Sequence, residues 1–359
     1  MKIVDLVSTT EHFPLTRPYQ IAYRAHDAVS NAIVRLILGD GTTAWGAASP
    51  SRFVTGETIE TCSEALRSPE LKDLLIGQDI REVNKITRLV ARVFSSKKCP
   101  AAQAAIDMAL HDGFAQHLAL PLVDVLGRCY DKMLTSITIG IKDVSATLSE
   151  ADEYYQRGFR ILKVKLGHHL EEDIERLRKL RERFAQGVAL RVDPNQGYSF
   201  QQLQTFLKAT DHLSLEFVEQ PLPVAQIEEL HRLSLDEKNK IALDESLCTS
   251  ADALQHCLPQ PKSRVYNIKL MKCGGISEAL RIATIADLCN RDLMWGCMDE
   301  SIISISAALH SAFSCSRTRY IDLDGSLDLA RDVVSGGFEI KDGYMSPHSL
   351  PGLGVVPLN

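Results

Sequence analysis

The chain has 359 residues, with 40 Lys and Arg against 46 Asp and Glu, a net charge of −6, 45% hydrophobic and 24% charged residues. That length buries a sizeable core and predicts about two domains, and with no basic block the chain offers nucleic acid no electrostatic footprint. No apolar run approaches the roughly 18–20 residues that cross a bilayer, and Asp5 and Glu11 interrupt the place where a signal core would lie.

Residues 1–60 alternate as strands do. IVDLVSTTEHF and NAIVRLILGDGTTAWGAAS predict two or three antiparallel strands, with a hairpin turn at Gly39-Asp40-Gly41. Residues 17–30, with Pro18 near their start, predict a long polar loop between them. Residues 57–126 predict helices. The clearest is AAQAAIDMALHDGFAQHL, where Ala105, Ala109 and the Ile106–Leu110 pair form a stripe and Pro121 follows the end. Strands followed by helices give an α+β domain over residues 1–128. Nine cysteines occur, none in a CxxC pair. Cys62, Cys129, Cys257, Cys289 and Cys315 lie in helix-like apolar patterns, which predicts free thiols in a reducing cytoplasm, without disulfides or a zinc site.

From about residue 130 the pattern changes to short apolar strands alternating with amphipathic helices. The strands SITIG, ILKVKLG, ALRVDPN, LEFVEQP, KIALDES, VYNIKLMK, LMWGCM and YIDLDG carry polar residues at Thr138, Lys165, Asp193, Glu219, Asp244, Lys269, Cys297 and Asp322. Successive numbers differ by 27, 28, 26, 25, 25, 28 and 25, the length of one strand, one helix and two loops. Eight such units predict a (β/α) barrel over residues 129–325. Residues 326–359 are turn-rich and are expected to return to the first domain.

Strand ends of a barrel point into one mouth. Asp193, Glu219 and Asp244 on three consecutive strands supply hard oxygen ligands for a divalent cation, and few carboxylates with open positions suit Mg²⁺, with Mn²⁺ as a substitute. Any one of these acids read alone is a strand-end cap; three in register are not. Lys163 and Lys165 share one face of a strand, so their charges and a nearby dication are expected to lower the lysine pKa toward that of a general base. Lys269 stands four strands further round, opposite Lys165, and two opposed bases are what racemisation or epimerisation requires. A proton beside a carboxylate is weakly acidic, and a metal on that carboxylate offsets the charge that develops as it leaves.

With these motifs in place, the chain resembles the enolase superfamily, muconate-lactonising subgroup, and within it the dipeptide epimerases. The resemblance spans nearly the whole chain: KxK at Lys163–Lys165, the acids within RVDPNQ, EFVEQP and ALDES, NIKLMKCGG around Lys269, and YIDLDG. It implies a modified (β/α)7β barrel with an α+β N-terminal cap completed by the C-terminal segment. It also implies Lys165 and Lys269 as acid/base residues, Asp193, Glu219 and Asp244 as Mg²⁺ ligands, and Lys163 on the substrate carboxylate. Asp322 and Asp324 resemble the DxD pair that holds a dipeptide's α-ammonium group, and Thr138, Cys297 and Asp299 would line the pocket. Residues 17–30 and 49–54 would close over the substrate. Members of the family often form closed assemblies, so a homo-oligomer is expected, though no interface is legible.

Specificity is divided. Arg24 lies where members acting on L-Ala-D/L-Glu pair an arginine with the glutamate side chain, whereas Asp299 replaces a usually apolar residue, and Asp27 could add to it. A further pocket carboxylate favours a cationic substrate, so the reading leans to a basic second residue, with Ala-Glu close behind. His111, His117, His168 and His169 lie off the strand ends, which removes support from a histidine-based racemase. Diacid cycloisomerisation, dehydration to o-succinylbenzoate and N-acylamino acid racemisation use the same lysines but gain nothing from two aspartates at the ammonium end.

Overall fold

The computed structural model describes residues 1–21 and 24–358, with the side chains of 18–21 and 24–26 left outside the description. The chain opens with an antiparallel sheet of β1 (Ile3–Ile21), β2 (Arg24–Leu38) and β3 (Thr43–Ala48), in that order. Alternating apolar residues bury Ile3, Val34, Leu36 and Leu38 on one face. β1 and β2 stay paired out to Ile21↔Arg24, with a register shift between Pro14 and Tyr19. This corrects the polar loop expected over residues 17–30, of which 17–21 and 24–30 belong to paired strands. Proline lacks the N–H of a regular ladder and breaks the alternation there, yet pairing resumes beyond it.

Helices follow: α1 (Ile59–Leu66), α2 (Pro69–Leu75), α3 (Val83–Lys97), α4 (Pro100–His117) and α5 (Leu122–Leu126). The stripe expected on α4 is absent because the helix is buried on nearly every side, from Ala101 to Ala115. It lies against β3 closely enough that a Cβ on Gly46 would sit 1.8 Å from the Ala105 carbonyl oxygen. Asp112 of α4 accepts from the Trp45 and Leu353 N–H groups, at 2.7 and 2.8 Å, and so ties the sheet to the far end of the chain.

After the short β4 (Met133–Leu134) the units alternate: β5 (Ile137–Ile139), α6 (Val144–Gln156), β6 (Ile161–Lys165), α7 (Leu170–Phe184), β7 (Ala189–Asp193), α8 (Phe200–Thr210), β8 (Val218–Glu219) and α9 (Leu235–Lys238). They continue with β9 (Ile241–Leu243), α10 (Ser250–Cys257), β10 (Val265–Ile268), α11 (Leu270–Cys273), α12 (Ile276–Leu288), β11 (Asp292–Gly296), α13 (Ile302–Phe313) and β12 (Thr318–Asp322). β5 to β12 form one eight-stranded parallel sheet in chain order, and the Thr135↔Ile321 bridge brings its two edges together. Helices cover the outside, so these strands are mostly apolar runs ending in a polar residue. Register aligns those ends: Lys165 pairs with Asp193 and Gly296 with Asp322.

The chain finishes with β13 (Val334–Gly336), β14 (Phe338–Lys341), β15 (Tyr344–Pro347) and β16 (Val355–Pro357), and β15 pairs with β4. Gly352 exchanges backbone hydrogen bonds with residues 120 and 122, just beyond α4. The nine cysteines are free; Cys129 lies in an exposed loop rather than on a helix. No helix among the described residues is long and apolar enough to cross a membrane.

Candidate active site

One cavity of about 880 Å³ opens where the strand ends meet the first sheet. Thr138 of β5, Lys163 and Lys165 of β6, Lys269 just past β10, Cys297 just past β11, and Asp322 and Asp324 at and beyond the end of β12 all line it. Asp299 and residues 49–54 border its mouth. The Asp299 backbone carbonyl accepts from Ser49 Oγ at 2.9 Å, which fastens this rim to the end of β3. The Arg24 side chain lies outside the described residues. Asp27 is exposed. His111 and His117 sit on α4, while His168 and His169 precede α7.

At the floor, Asp193, Glu219 and Asp244 are fully buried and threaded with lysines. Lys163 Nζ lies 2.8 Å from Asp322 Oδ2, 2.9 Å from Glu219 Oε2 and 3.4 Å from Asp193 Oδ2. Lys165 Nζ meets Asp193 Oδ2 at 2.7 Å, and Lys269 Nζ meets Asp244 Oδ2 at 2.7 Å. Lys272, one turn beyond Lys269, is bound to the other Asp244 oxygen.

Burial favours neutral lysine, but the charges of Asp322, Glu219 and Asp193 outweigh it and hold Lys163 well above its ordinary range. Lys269 is likewise raised, with Asp244 overcoming burial. At Lys163 the nearby carboxylates thus outweigh the like-charge repulsion expected from the KVK pair. Burial acts oppositely on the acids. It lifts Glu219, with the charge of Asp193, to about 8, whereas Lys269 and Lys272 overcome burial and hold Asp244 low.

The donor set suits a hard divalent cation. It consists of oxygen from three carboxylates, and further buried oxygens stand ready: Asn195 Oδ1, Glu245 Oε2 and Asn267 Oδ1 have no hydrogen-bond partner among the described residues. Glu219 Oε2 meets Lys163 as an ion pair without hydrogen-bond geometry. Such unsatisfied oxygens each cost about 1–3 kcal/mol, which a cation removes. Among the described residues no three His, Cys, Asp or Glu groups stand in a metal-holding cluster, and the carboxylate oxygens are paired with lysines instead.

The amino-side end of the cavity is built differently. Asp322 is held from both sides: Ser136 Oγ donates to Oδ1 at 2.6 Å and Lys163 to Oδ2 at 2.8 Å. Despite burial, Lys163 pulls this carboxyl down to about 2. Behind Ser136 stands Arg191, a buried cation two residues before Asp193, which donates to Ser136 Oγ at 3.1 Å and to the Ile321 carbonyl at 2.7 Å. The sequence reading missed Arg191, although period-two alternation puts it on the same inward face as Asp193. It also missed Lys272 and Asn195, whose only signal was proximity to Lys269 and Asp193. Asp324 takes the Thr138 N–H at 2.7 Å, and burial with Asp322 and Asp328 lifts it to about 7. Gly325 makes this turn feasible, because a Cβ there would lie 1.9 Å from the Met298 carbonyl oxygen.

Comparison with known proteins agrees with this geometry. Residues 3–127 match the family model of the mandelate racemase/muconate lactonizing enzyme N-terminal domain, and residues 146–358 match the enolase C-terminal domain-like model. The chain is 51% identical to an L-Lys-D/L-Arg epimerase of Methylococcus capsulatus over 99% of both chains. It is 49% identical to an L-Lys-D/L-Arg epimerase of Desulforapulum autotrophicum, again over 99% of both. A crystal structure of the Methylococcus capsulatus dipeptide epimerase with Mg and the dipeptide L-Arg-D-Lys superposes with a TM-score of 0.97 at 51% identity, covering 99% of this chain and 100% of the other.

Proposed function

The chain belongs to the mandelate racemase/muconate lactonizing enzyme family, and on that premise we propose that it is a Mg²⁺-dependent dipeptide epimerase inverting Cα of the C-terminal residue. One observation carries the reading. Three buried carboxylates lie between lysines of two strands four places apart in the barrel, with two aspartates at one end of the same cavity. The activities of the similar epimerases support it.

Asp193, Glu219 and Asp244 would hold the Mg²⁺, for which Mn²⁺ substitutes. When bound, it supplies the positive charge that a substrate carboxylate needs as its α-proton leaves. Lys163 orients that carboxylate. Lys165, as the neutral amine, takes the α-proton from one face, and the Lys269 ammonium returns a proton to the other; the reverse direction exchanges the roles. Asp322 and Asp324 hold the α-ammonium group, while Thr138 and Cys297 wall the pocket between them. The substrate is a dipeptide with basic residues, in keeping with Asp299 at the rim and with the L-Lys-D/L-Arg activity of the similar proteins. Nine free thiols fit a reducing cytoplasm.

The test is a deuterium-exchange screen of pooled L,L-dipeptides in D₂O with Mg²⁺, read by mass. A gain of about one unit at Cα of basic dipeptides is the expected result. Uptake confined to Ala-Glu would reassign specificity to Arg24. No uptake into any dipeptide would overturn the reading in favour of a cycloisomerase, o-succinylbenzoate synthase or N-acylamino acid racemase.

A further inference from the structure

The amino-side end of the cavity holds more negative charge than an α-ammonium group neutralises. Its cations are already matched: Arg17 clasps Glu153 with two hydrogen bonds of 2.9 and 2.7 Å, Lys142 binds Glu150, and Lys163 binds Asp322 at 2.8 Å. Asp324 and Asp328 line the same end, and neither has an ion-pair partner among the described residues. Asp324 is only 5% exposed, so its charge is not dissipated in water. Asp328 is held by its backbone, its carbonyl accepting from the Thr16 N–H at 2.7 Å.

Resting on the epimerase reading, we propose that Asp328 selects dipeptides whose first residue carries a positively charged side chain. The argument is positional. The reacting Cα lies between Lys165 and Lys269, and the α-ammonium of the first residue lies at Asp322 and Asp324. The first side chain then leaves its Cα beside the loop that runs on from Asp324 to Asp328. The opposite wall there is α6, where Tyr154 donates to Glu150 Oε1 at 3.0 Å, an aromatic surface for the aliphatic stem of lysine or arginine. Each of two cationic groups thus finds a carboxylate that no protein cation has claimed.

The electrostatics agree. Burial, then Asp299 and Glu150, push Asp328 up to about 6, and Asp328 in turn helps to raise Asp324. Asp299 therefore lies near enough for its charge to be felt at Asp328.

The experiment compares kcat/KM, from deuterium uptake in D₂O, for L-Lys-L-Ala and L-norleucyl-L-Ala, which differ in the side-chain ammonium alone. Wild-type enzyme is expected to prefer lysine by at least about tenfold, the scale of one well-placed ion pair in a partly desolvated site. Asp328→Asn is expected to bring the ratio near one, and Asp328→Glu to restore most of it. A ratio unchanged in Asp328→Asn overturns the inference, as does equal loss in Asp328→Glu or no preference in the wild type. Absence of uptake from every dipeptide would overturn the epimerase reading itself, and this inference with it.

Discussion

Replacing Lys269 by methionine separates the two halves of the proposed reaction. Lys269 is 6% exposed and its ammonium bonds to Asp244 Oδ2 at 2.7 Å, while Lys272 holds the other Asp244 oxygen. Asp244 therefore keeps a cation when Lys269 is gone, and methionine fills the volume of the lysine stem. The folding cost is that of one charged hydrogen bond, about 1–3 kcal/mol, small enough to leave the protein folded. The catalytic cost is larger: loss of a positioned acid/base lowers kcat by roughly 10²–10⁴, or about 3–5 kcal/mol of barrier. Lys165 remains and still reaches its own face of Cα. In D₂O, Lys269→Met should therefore exchange the α-proton of one epimer without inverting it, and Lys165→Met should exchange the other epimer. Proton NMR of the Cα–H signal of each pure epimer, with a thermal melt as a folding control, reads this directly. Epimerisation by Lys269→Met within about tenfold of wild type, or exchange of the same epimer by both variants, would refute the two-base arrangement.

Chelation should abolish epimerisation and Mg²⁺ or Mn²⁺ should restore it, with Mg²⁺ raising the melting temperature of wild type but not of Glu219→Gln; a metal-independent rate would contradict the ligand assignment. Asp324, lifted to about 7, must be ionised to hold an ammonium group. KM for dipeptides should therefore rise as pH falls below about 7, toward tenfold per unit, and Asp324→Asn should have a high, flat KM; a wild-type KM level across that range would contradict this role. His310 is held near 4 by burial, and its Nδ1 accepts from the Val123 N–H at 2.9 Å. A depressed histidine favours the folded state fully above its ordinary pKa of about 6.5, and that contribution, about 3 kcal/mol, is lost as pH falls to about 4. Urea melts should show this acid slope in wild type and a shallower one in His310→Gln.

The barrel, and the polar residues gathered at its strand ends, were legible because each strand end repeats at about 25 residues and carries a polar group that an apolar strand cannot otherwise explain. What escaped was direction and partnership. Spacing placed Asp299 near the mouth but could not say which end of a substrate its charge would face. The ion pairs of the KVK lysines were hidden because sequence displays only their like charges, while the opposing Asp193, Glu219 and Asp322 come from strands 28, 56 and 159 residues beyond Lys163 or Lys165 (193 − 165, 219 − 163, 322 − 163). The Arg191–Ser136–Asp322 chain joins β7, the residue before β5 and β12, distant in sequence, with only the alternation of RVD as a signal. The arm of β1 and β2 read as a loop because Pro14 and Pro18 interrupt its pattern. On α4, burial from all sides erased the stripe that identifies a one-faced helix.

Asp112 gives the protein an unusual order of completion. The sheet that is synthesised first is fastened through this carboxylate to Leu353, and the loop following α4 is bonded to Gly352. Domains generally fold as they leave the ribosome, N-terminal part first. Here the first domain lacks its last hydrogen bonds until the whole barrel and residues 352–353 have emerged. Trimming a few residues near the chain's end would accordingly damage its beginning.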